Sequence, residues 1–126
     1  MSLIDGNPYV YSAVLKRVID GDTIVADVDL GFDTILQNQK FRLNGINTPE
    51  SRTRDKAEKV RGLAAKERLI ELLGGYKDVG FKFLSYDKGK YGRILADIYH
   101  KDDLEVSINH RLLQEGHAVE YYGGKR

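Results

Sequence analysis

The sequence predicts an α+β protein, an otherwise all-β closed barrel with helices packed at its side. Two observations lead to this fold class. Five stretches alternate apolar with polar residues or are rich in β-branched and aromatic residues, and turn signals separate them. One longer segment instead carries apolar residues at helical spacing. Because 126 residues with 41% hydrophobic content suffice for one core, we predict a single domain over residues 1–126, with residues 123–126 as a flexible tail.

The first half of the chain predicts three strands. Tyr9–Val18 is rich in valine and tyrosine and ends at an Asp-Gly turn signal. Thr23–Leu30 alternates apolar and polar residues, and a turn then leads into Thr34–Ile46. In this third strand Phe41 lies on one face and Arg42 on the opposite one. The predicted core face of the second strand consists of Ile24, Ala26, Val28 and Leu30.

Asp55–Leu73 is the clearest helix. Asp55 and Glu58 form an aspartate version of the capping box at its start, and glycines follow its end. The residues at helical spacing that predict its buried face are Val60, Leu63, Ala64, Ile70 and Leu73.

The last third of the chain predicts two more strands and a short helix. Val79–Tyr86 and Arg93–Tyr99 are the strands, and Ser107 caps the helix Ile108–Glu115. An extended piece, Ala118–Tyr122, follows. Strands of this number and length match a five-stranded OB-fold barrel, which closes its edges and binds oligonucleotides on one face. A flat α+β sandwich is the alternative.

Composition excludes several kinds of site and leaves an uneven distribution of charge. Without cysteine the chain has no disulfide, zinc-thiolate site or thiol nucleophile. It has no apolar run of membrane-spanning length and no signal-peptide pattern, so we expect a cytoplasmic or intracellular protein. Residues 1–35 carry two basic side chains against six acidic ones, whereas residues 40–66 carry eight basic against three acidic. That asymmetry suits a metal ion beside a polyanion; an ordinary salt-bridged surface is the alternative.

Three short blocks contain the residues needed to hydrolyse a phosphodiester on a hard metal ion. They are Asp20-Gly21-Asp22-Thr23, Phe41–Glu50 and Lys90-Tyr91-Gly92-Arg93. Asp22 opens a strand after a glycine turn, and Asn47 ends a strand that can reach the same mouth of the barrel. We expect the Asp22 carboxylate, the Asn47 side-chain oxygen and the Thr48 backbone carbonyl to hold the ion. Calcium fits best, because it accepts irregular mixtures of carboxylate, amide and carbonyl oxygens.

The same blocks supply a base and two phosphate-binding cations. Glu50 lies beyond the predicted ligands, so it is our candidate general base for the attacking water. Arg42 and Arg93 lie on polar strand faces, from which each can direct several donors at phosphate oxygens. Each block taken alone has an ordinary structural explanation, such as a turn or a hairpin end. Their order and spacing together favour the functional interpretation.

With these blocks in place, the chain resembles the staphylococcal nuclease (thermonuclease) family over nearly its whole length. The match extends to Gln114–Ala118. The resemblance implies a five-stranded OB-fold barrel with helices that cleaves DNA and RNA with Ca²⁺ and leaves 3′-phosphate ends. It also implies roles for individual residues: Asp22 and the Thr48 carbonyl as metal ligands, Arg42 and Arg93 as phosphate-binding arginines, Glu50 as general base, and Lys90, Tyr91 and Tyr122 as contacts to the nucleotide.

Asn47 departs from the family pattern, because the best-known members carry aspartate at that position. The amide keeps an oxygen in nearly the same place but removes a negative charge, so we expect weaker metal binding without its loss.

A non-catalytic OB-fold module that binds single-stranded nucleic acid is the alternative function. A third interpretation is a barrel that has lost its catalytic site and serves only protein interaction. That interpretation predicts that several of the site residues are replaced. We expect a monomer whose partners are DNA and RNA.

Overall fold

The computed structural model describes residues 10–74, 78–87, 93–100 and 105–121. In chain order these residues form β1 (Val10–Asp20), β2 (Thr23–Gly31), β3 (Thr34–Leu43), β4 (Ile46–Asn47), α1 (Lys56–Leu72), β5 (Asp78–Asp87), β6 (Arg93–His100), α2 (Ile108–Gln114) and β7 (Val119–Glu120). Apart from the third strand, the predicted elements end within two residues of the observed bounds. In the described part of the chain, neither helix has the length and apolar character needed to cross a membrane.

Five strands close into a barrel in the order β1-β2-β3-β6-β5. The barrel closes because β5 also pairs with β1, antiparallel, from Val10 opposite Lys82 to Val14 opposite Asp78. Only β3 and β6 run parallel among these pairs, with Phe41 opposite Ile94. The prediction of a five-stranded barrel with helices is therefore confirmed, and the flat sandwich is excluded.

Alternating residues of the strands fill the barrel with apolar side chains. Phe41 packs edge-to-face on Phe81 with ring centroids 4.7 Å apart, and Tyr11 stacks on Phe81 at 5.7 Å. Of the core face predicted for β2, three residues are buried, but Leu30 is 38% exposed. In the described register β1 pairs with β2 only as far as Val28, so Leu30 lies on a two-stranded ribbon beyond the barrel wall.

Helix α1 packs on the barrel through small residues, which corrects the predicted face. Val60 and Leu63 are 68% and 43% exposed, and Ala64 is also exposed. The buried residues of the helix are Gly62, Ala65 and Leu69. Leu73 is buried and Ile70 partly buried, as predicted.

The reason for this face is a close approach of backbone to the helix. A Cβ atom on Gly62 would lie 2.3 Å from the Glu50 carbonyl oxygen and 2.7 Å from the Ser51 nitrogen. A Cβ on Gly21 would lie 2.8 Å from the Cβ of Ala65. All three distances are too short for a larger side chain, so small residues decide which side of the helix is buried.

The predicted third strand is wrong at its end. The chain turns at Asn44 and Gly45, where Gly45 has φ +78°, and residues 46–47 form the separate strand β4. This strand leaves the barrel and pairs antiparallel with β7, with Asn47 opposite Val119. The turn places Asn47 beside the segment that follows α2, a long-range pairing for which the local sequence carries no signal.

A buried asparagine fixes this turn from α2. Asn109 is 4% exposed; its amide nitrogen donates to the Asn44 carbonyl at 2.8 Å. Its side-chain oxygen accepts from the Ile98 backbone nitrogen at 3.0 Å. Asn109 therefore ties α2 to β6 and to the turn that leads into β4.

Candidate active site

The candidate site lies where the start of β2, the end of β3 and the short strand β4 meet. Thr23 is opposite Arg42 in the β2–β3 register, which brings neighbouring Asp22 to the end of β3. The backbone nitrogen of Leu43 donates to the Asp22 carbonyl at 2.8 Å. Asn47 ends β4. Four of the predicted residues, Asp22, Arg42, Asn47 and Thr48, are thus brought into contact.

The Asp22 carboxylate is buried and fully engaged on both oxygens. Only 7% of the residue is exposed. Its Oδ2 accepts from the Thr48 backbone nitrogen at 3.0 Å and lies 3.3 Å from Nη1 of Arg42. Its Oδ1 accepts from the Thr23 hydroxyl at 3.0 Å. These contacts fix the carboxylate in position and supply part of the charge compensation that a buried anion requires.

Arg42 links the two predicted ligand side chains. Its Nη2 donates to the Asn47 side-chain oxygen at 3.0 Å, while Nη1 faces Asp22 and also donates to the Leu43 carbonyl at 3.4 Å. The residue is 8% exposed. The guanidinium carbon lies 5.6 Å from the centre of the Tyr121 ring, a cation–π distance.

Tyr121 lies at the site although the sequence-based assignment of site residues did not include it. The Tyr121 backbone nitrogen donates to the Gly45 carbonyl at 2.9 Å, which places its ring under Arg42. The β4–β7 pairing brings Tyr121 to the site. Because this pairing joins residues far apart in the chain, the local sequence gives no signal for it.

The donor set is compatible with a hard cation held by few charges. A carboxylate oxygen of Asp22 and the amide oxygen of Asn47 both face one cationic group, the Arg42 guanidinium. Both are oxygen types that calcium uses. Among the residues that the structure describes, no group of three or more His, Cys, Asp or Glu side chains could hold a metal. The chemistry of these two oxygens therefore suits a hard cation, although only one of the two side chains carries a negative charge.

Glu50 lies on a segment that is fixed at both sides. Its backbone nitrogen donates to Oε2 of Glu58 at 3.2 Å, and its carbonyl packs against Gly62. Glu50 itself is exposed. Only one of the two hydrogen bonds of the predicted capping box is present. The Asp55 carboxylate accepts from the Glu58 backbone nitrogen at 3.1 Å. The Glu58 carboxylate accepts from the Glu50 backbone nitrogen and not from that of Asp55.

Asp20 holds the residue after Glu50, a role that the sequence did not suggest. Its Oδ1 accepts from the Ser51 nitrogen at 3.2 Å and from the Ser51 hydroxyl in a short contact. Ser51 is 4% exposed. The only sequence signal was a second carboxylate in the Asp-Gly-Asp block, which we interpreted as a turn residue.

Of the remaining predicted site residues, the structure describes only Arg93. Arg93 is half-buried at the start of β6, next to Ile94, which pairs with Phe41. Lys90, Tyr91 and Tyr122 lie outside the described residues.

Comparisons with known proteins agree with this architecture. The family model described as staphylococcal nuclease homologue matches residues 40–126. A thermonuclease of Staphylococcus intermedius is 35% identical over 107 residues, covering 85% of this chain and 58% of the relative. A thermonuclease of Staphylococcus hyicus is 30% identical, covering 92% and 62%. The SPbeta prophage-derived endonuclease YokF of Bacillus subtilis is 34% identical, covering 82% and 32%. The chain thus spans about three fifths of the two thermonucleases.

Proposed function

Because this chain belongs to the staphylococcal nuclease family, we propose that it is a metal-dependent nuclease that hydrolyses phosphodiester bonds of DNA and RNA. Relatives named thermonuclease and endonuclease support a nuclease. Calcium as the metal, the individual residue roles and the 3′-phosphate products are parts of our proposal. The observation that carries it is the contact of the buried Arg42 with both Asp22 and Asn47.

Asp22, Asn47 and the Thr48 carbonyl would hold the calcium ion. Bound there, the ion would supply positive charge next to the phosphate oxygens and the attacking water. The Thr48 backbone nitrogen donates to Oδ2 of Asp22 at 3.0 Å, and this hydrogen bond holds the carboxylate beside the Thr48 backbone.

The chain's own side chains supply the rest of the chemistry. Arg42 and Arg93 bind phosphate oxygens and stabilise the charge that develops on them. Glu50 takes a proton from the attacking water, whose oxygen forms the new bond to phosphorus. The bond from phosphorus to the 5′ oxygen then breaks, the 5′ oxygen takes a proton from solvent, and the phosphate stays on the 3′ side. Glu58, Asp20 and Gly62 hold the backbone from which Glu50 acts.

Digestion of plasmid and labelled oligonucleotides tests this function. We expect cleavage by the wild-type protein with calcium and none with chelator. Glu50→Gln and Arg93→Ala should each lower kcat by at least about a hundredfold, because each removes a group used in the transition state. Equal cleavage in all four conditions would refute the assignment.

A single-strand binding module without catalysis is the second candidate. Asn47 favours it, because the site has one carboxylate where a charge-rich metal site would have two. Wild-type protein that binds single strands tightly but cleaves nothing with calcium would support this candidate. A binder has no evident need for a glutamate at position 50, and a carboxylate beside bound nucleic acid repels a polyanion, so we prefer the nuclease.

A further inference from the structure

A row of basic residues next to the candidate site has no part in the proposed chemistry. We call it the basic track: Arg52, Arg54, Lys56, Lys59 and Lys66. The first four are exposed and Lys66 is half-buried. It begins immediately after Ser51, the residue that Asp20 anchors.

The track residues differ from Lys16 and Arg68, two cations elsewhere in the described ranges, in having no acidic partner within salt-bridge distance. Lys16 lies 3.5 Å from Asp27, and Arg68 binds Glu115 at 2.8 Å. Within the described ranges, the salt bridges include none of the five track side chains. Their charges are therefore available to an external anion.

On α1 the track forms a stripe on one flank of the helix. Lys56, Lys59 and Lys66 are spaced by three and seven residues, which places them on one side of the buried stripe through Gly62. Arg68, which binds Glu115 of the α2 end, lies on the other side. The track thus faces away from α2.

The track is continuous with the backbone that carries the proposed base. Glu50 and Ser51 pack directly against Gly62, one turn from Lys59. Lys56 to Lys66 covers about 15 Å of helix axis at about 1.5 Å per residue. A nucleic-acid strand advances by about 3.4 Å per nucleotide in a duplex, so the stripe matches about four phosphates.

We propose that the basic track binds backbone phosphates beyond the cleaved linkage, so that the protein binds and cleaves long strands better than short ones. The inference rests on the proposed function and specifies its substrate class. An anionic membrane is the competing partner, because Val60 and Leu63 are exposed on the same helix. Continuity with the phosphate-binding site favours a nucleic acid.

The test compares two triple variants that remove the same charge. Arg54→Gln/Lys56→Gln/Lys59→Gln neutralises three of the five track residues. It keeps Lys66, which is half-buried, and Arg52, which is too near Glu50 for a clean result. Lys16→Gln/Arg17→Gln/Arg61→Gln neutralises three exposed cations elsewhere, including the opposite flank of α1. Binding to a labelled single strand of about 20 nucleotides is measured by fluorescence anisotropy in chelator over a salt series.

We expect the track variant to lose about ten- to a hundredfold in affinity near 0.1 M salt and the salt slope to fall by about 2, since each single-strand phosphate contact contributes about 0.7. The control variant should stay within about twofold of wild type. With calcium, kcat/KM should fall more for the long strand than for a dinucleotide, which is too short to reach the stripe.

Each other outcome contradicts the inference. Equal losses in both variants would mean that net charge, not the track, determines binding. Equal losses for the long strand and the dinucleotide would place these residues at the cleaved phosphate. Unchanged strand binding, with lost binding to phosphatidylserine vesicles, would assign the track to a membrane.

The same measurements separate this inference from the proposed function. If wild-type protein binds the strand through the track but does not cleave it with calcium, the nuclease proposal fails and the basic track stands. If cleavage occurs but is indifferent to the track variant, the nuclease proposal stands and the track fails.

Discussion

Arg42 is positioned by contacts on three sides. Asp22 and Asn47 bind its two terminal nitrogens, and the Tyr121 ring lies below the guanidinium. Arginine suits such a place because its planar group binds several acceptors at fixed angles and stacks on aromatic rings. Any cation that enters between Asp22 and Asn47 must compete with this guanidinium for both oxygens.

Asn47→Asp is therefore expected to tighten calcium binding by at least about tenfold, because it restores an anionic ligand. The new carboxylate also attracts Arg42 more strongly, which opposes the effect. The doubly charged ion gains more from an added negative charge than the singly charged guanidinium does, so the net change favours calcium. Isothermal calorimetry measures it.

Gln37→Glu provides the matched control, since it adds the same charge at an exposed position of β3 away from the site. Calcium affinity that is unchanged or weaker in Asn47→Asp, or raised equally by Gln37→Glu, would contradict the interpretation of Asn47 as a neutral ligand.

Gly62 provides a second test at the scale of one residue. Gly62→Ala places a Cβ 2.3 Å from the Glu50 carbonyl oxygen. We expect a loss of about 1–3 kcal/mol in the free energy of unfolding, as for other overpacked sites. Urea denaturation measures this loss. If cleavage is confirmed, kcat should also fall, because the displaced backbone carries Glu50.

The sign of that result is informative, because alanine is the better helix former by about 1 kcal/mol. With space at the site, Gly62→Ala would stabilise the protein, and such a result would refute the close packing. Ala64→Gly, at an exposed position of the same helix, calibrates the helix propensity alone.

Among residues, the sequence predicted the groups that carry charge or strong turn signals and missed those defined by distant contacts. Asp22, Arg42 and Asn47 meet as their blocks suggested. The Glu58 carboxylate, by contrast, accepts from the backbone nitrogen of Glu50, eight positions away, because α1 packs against the Glu50–Ser51 backbone. No local pattern encodes that approach.

At the scale of elements, the β2–β3 hairpin contains an unfavourable turn. Phe32 and Asp33 both have positive φ, +55° and +59°, and Phe32 is 89% exposed. Turns of this geometry prefer Asn-Gly, because non-glycine residues other than Asn and Asp adopt the left-handed region at a cost.

Phe32→Asn is expected to raise the free energy of unfolding by about 0.5–1 kcal/mol, because asparagine tolerates the left-handed conformation. Chemical denaturation measures the gain. Ile35→Asn, at an exposed position of the adjoining strand, serves as control and should not stabilise the protein. A loss of stability in Phe32→Asn would show that the Phe32 ring makes contacts worth more than the turn strain.

Element bounds followed from the sequence more reliably than element faces did. Strand alternation correctly placed Ile24, Ala26 and Val28 in the core. The apolar residues of α1 predicted its buried face wrongly at Val60 and Leu63, because steric access, not hydrophobicity, selects the small residues there. Hydrophobic periodicity carries no information about how closely another backbone approaches.

At the scale of the whole molecule, strand number predicted a barrel, but only tertiary pairing shows how the site is assembled. The parallel β3–β6 pair and the short β4–β7 pair join residues far apart in the chain. A third long-range contact is an ion pair. Two guanidinium nitrogens of Arg68 on α1 donate to the carboxylate of Glu115, the C-cap residue of α2, at 2.5 and 2.8 Å.

This link predicts a pH-dependent contribution to stability. The hydrogen bond from Arg68 lowers the pKa of Glu115 below its ordinary 4.5, and the nearby positive charges act in the same direction. A group whose pKa is lower in the folded protein stabilises it above the pKa of the unfolded chain and loses that contribution as pH falls through the folded pKa. The stability difference between wild type and Glu115→Gln should therefore be largest near neutral pH and shrink from about pH 5 downward.

Urea denaturation at several pH values measures this difference. Glu67→Gln is the matched control, since it removes the same charge from an exposed position of α1. Arg68 and Glu115 lie at the surface with about a third of each side chain exposed, so the effect at neutral pH should be small and reduced by salt. A difference that grows as the solution becomes acidic, or one that Glu67→Gln reproduces, would show that the ion pair between α1 and α2 does not stabilise their packing.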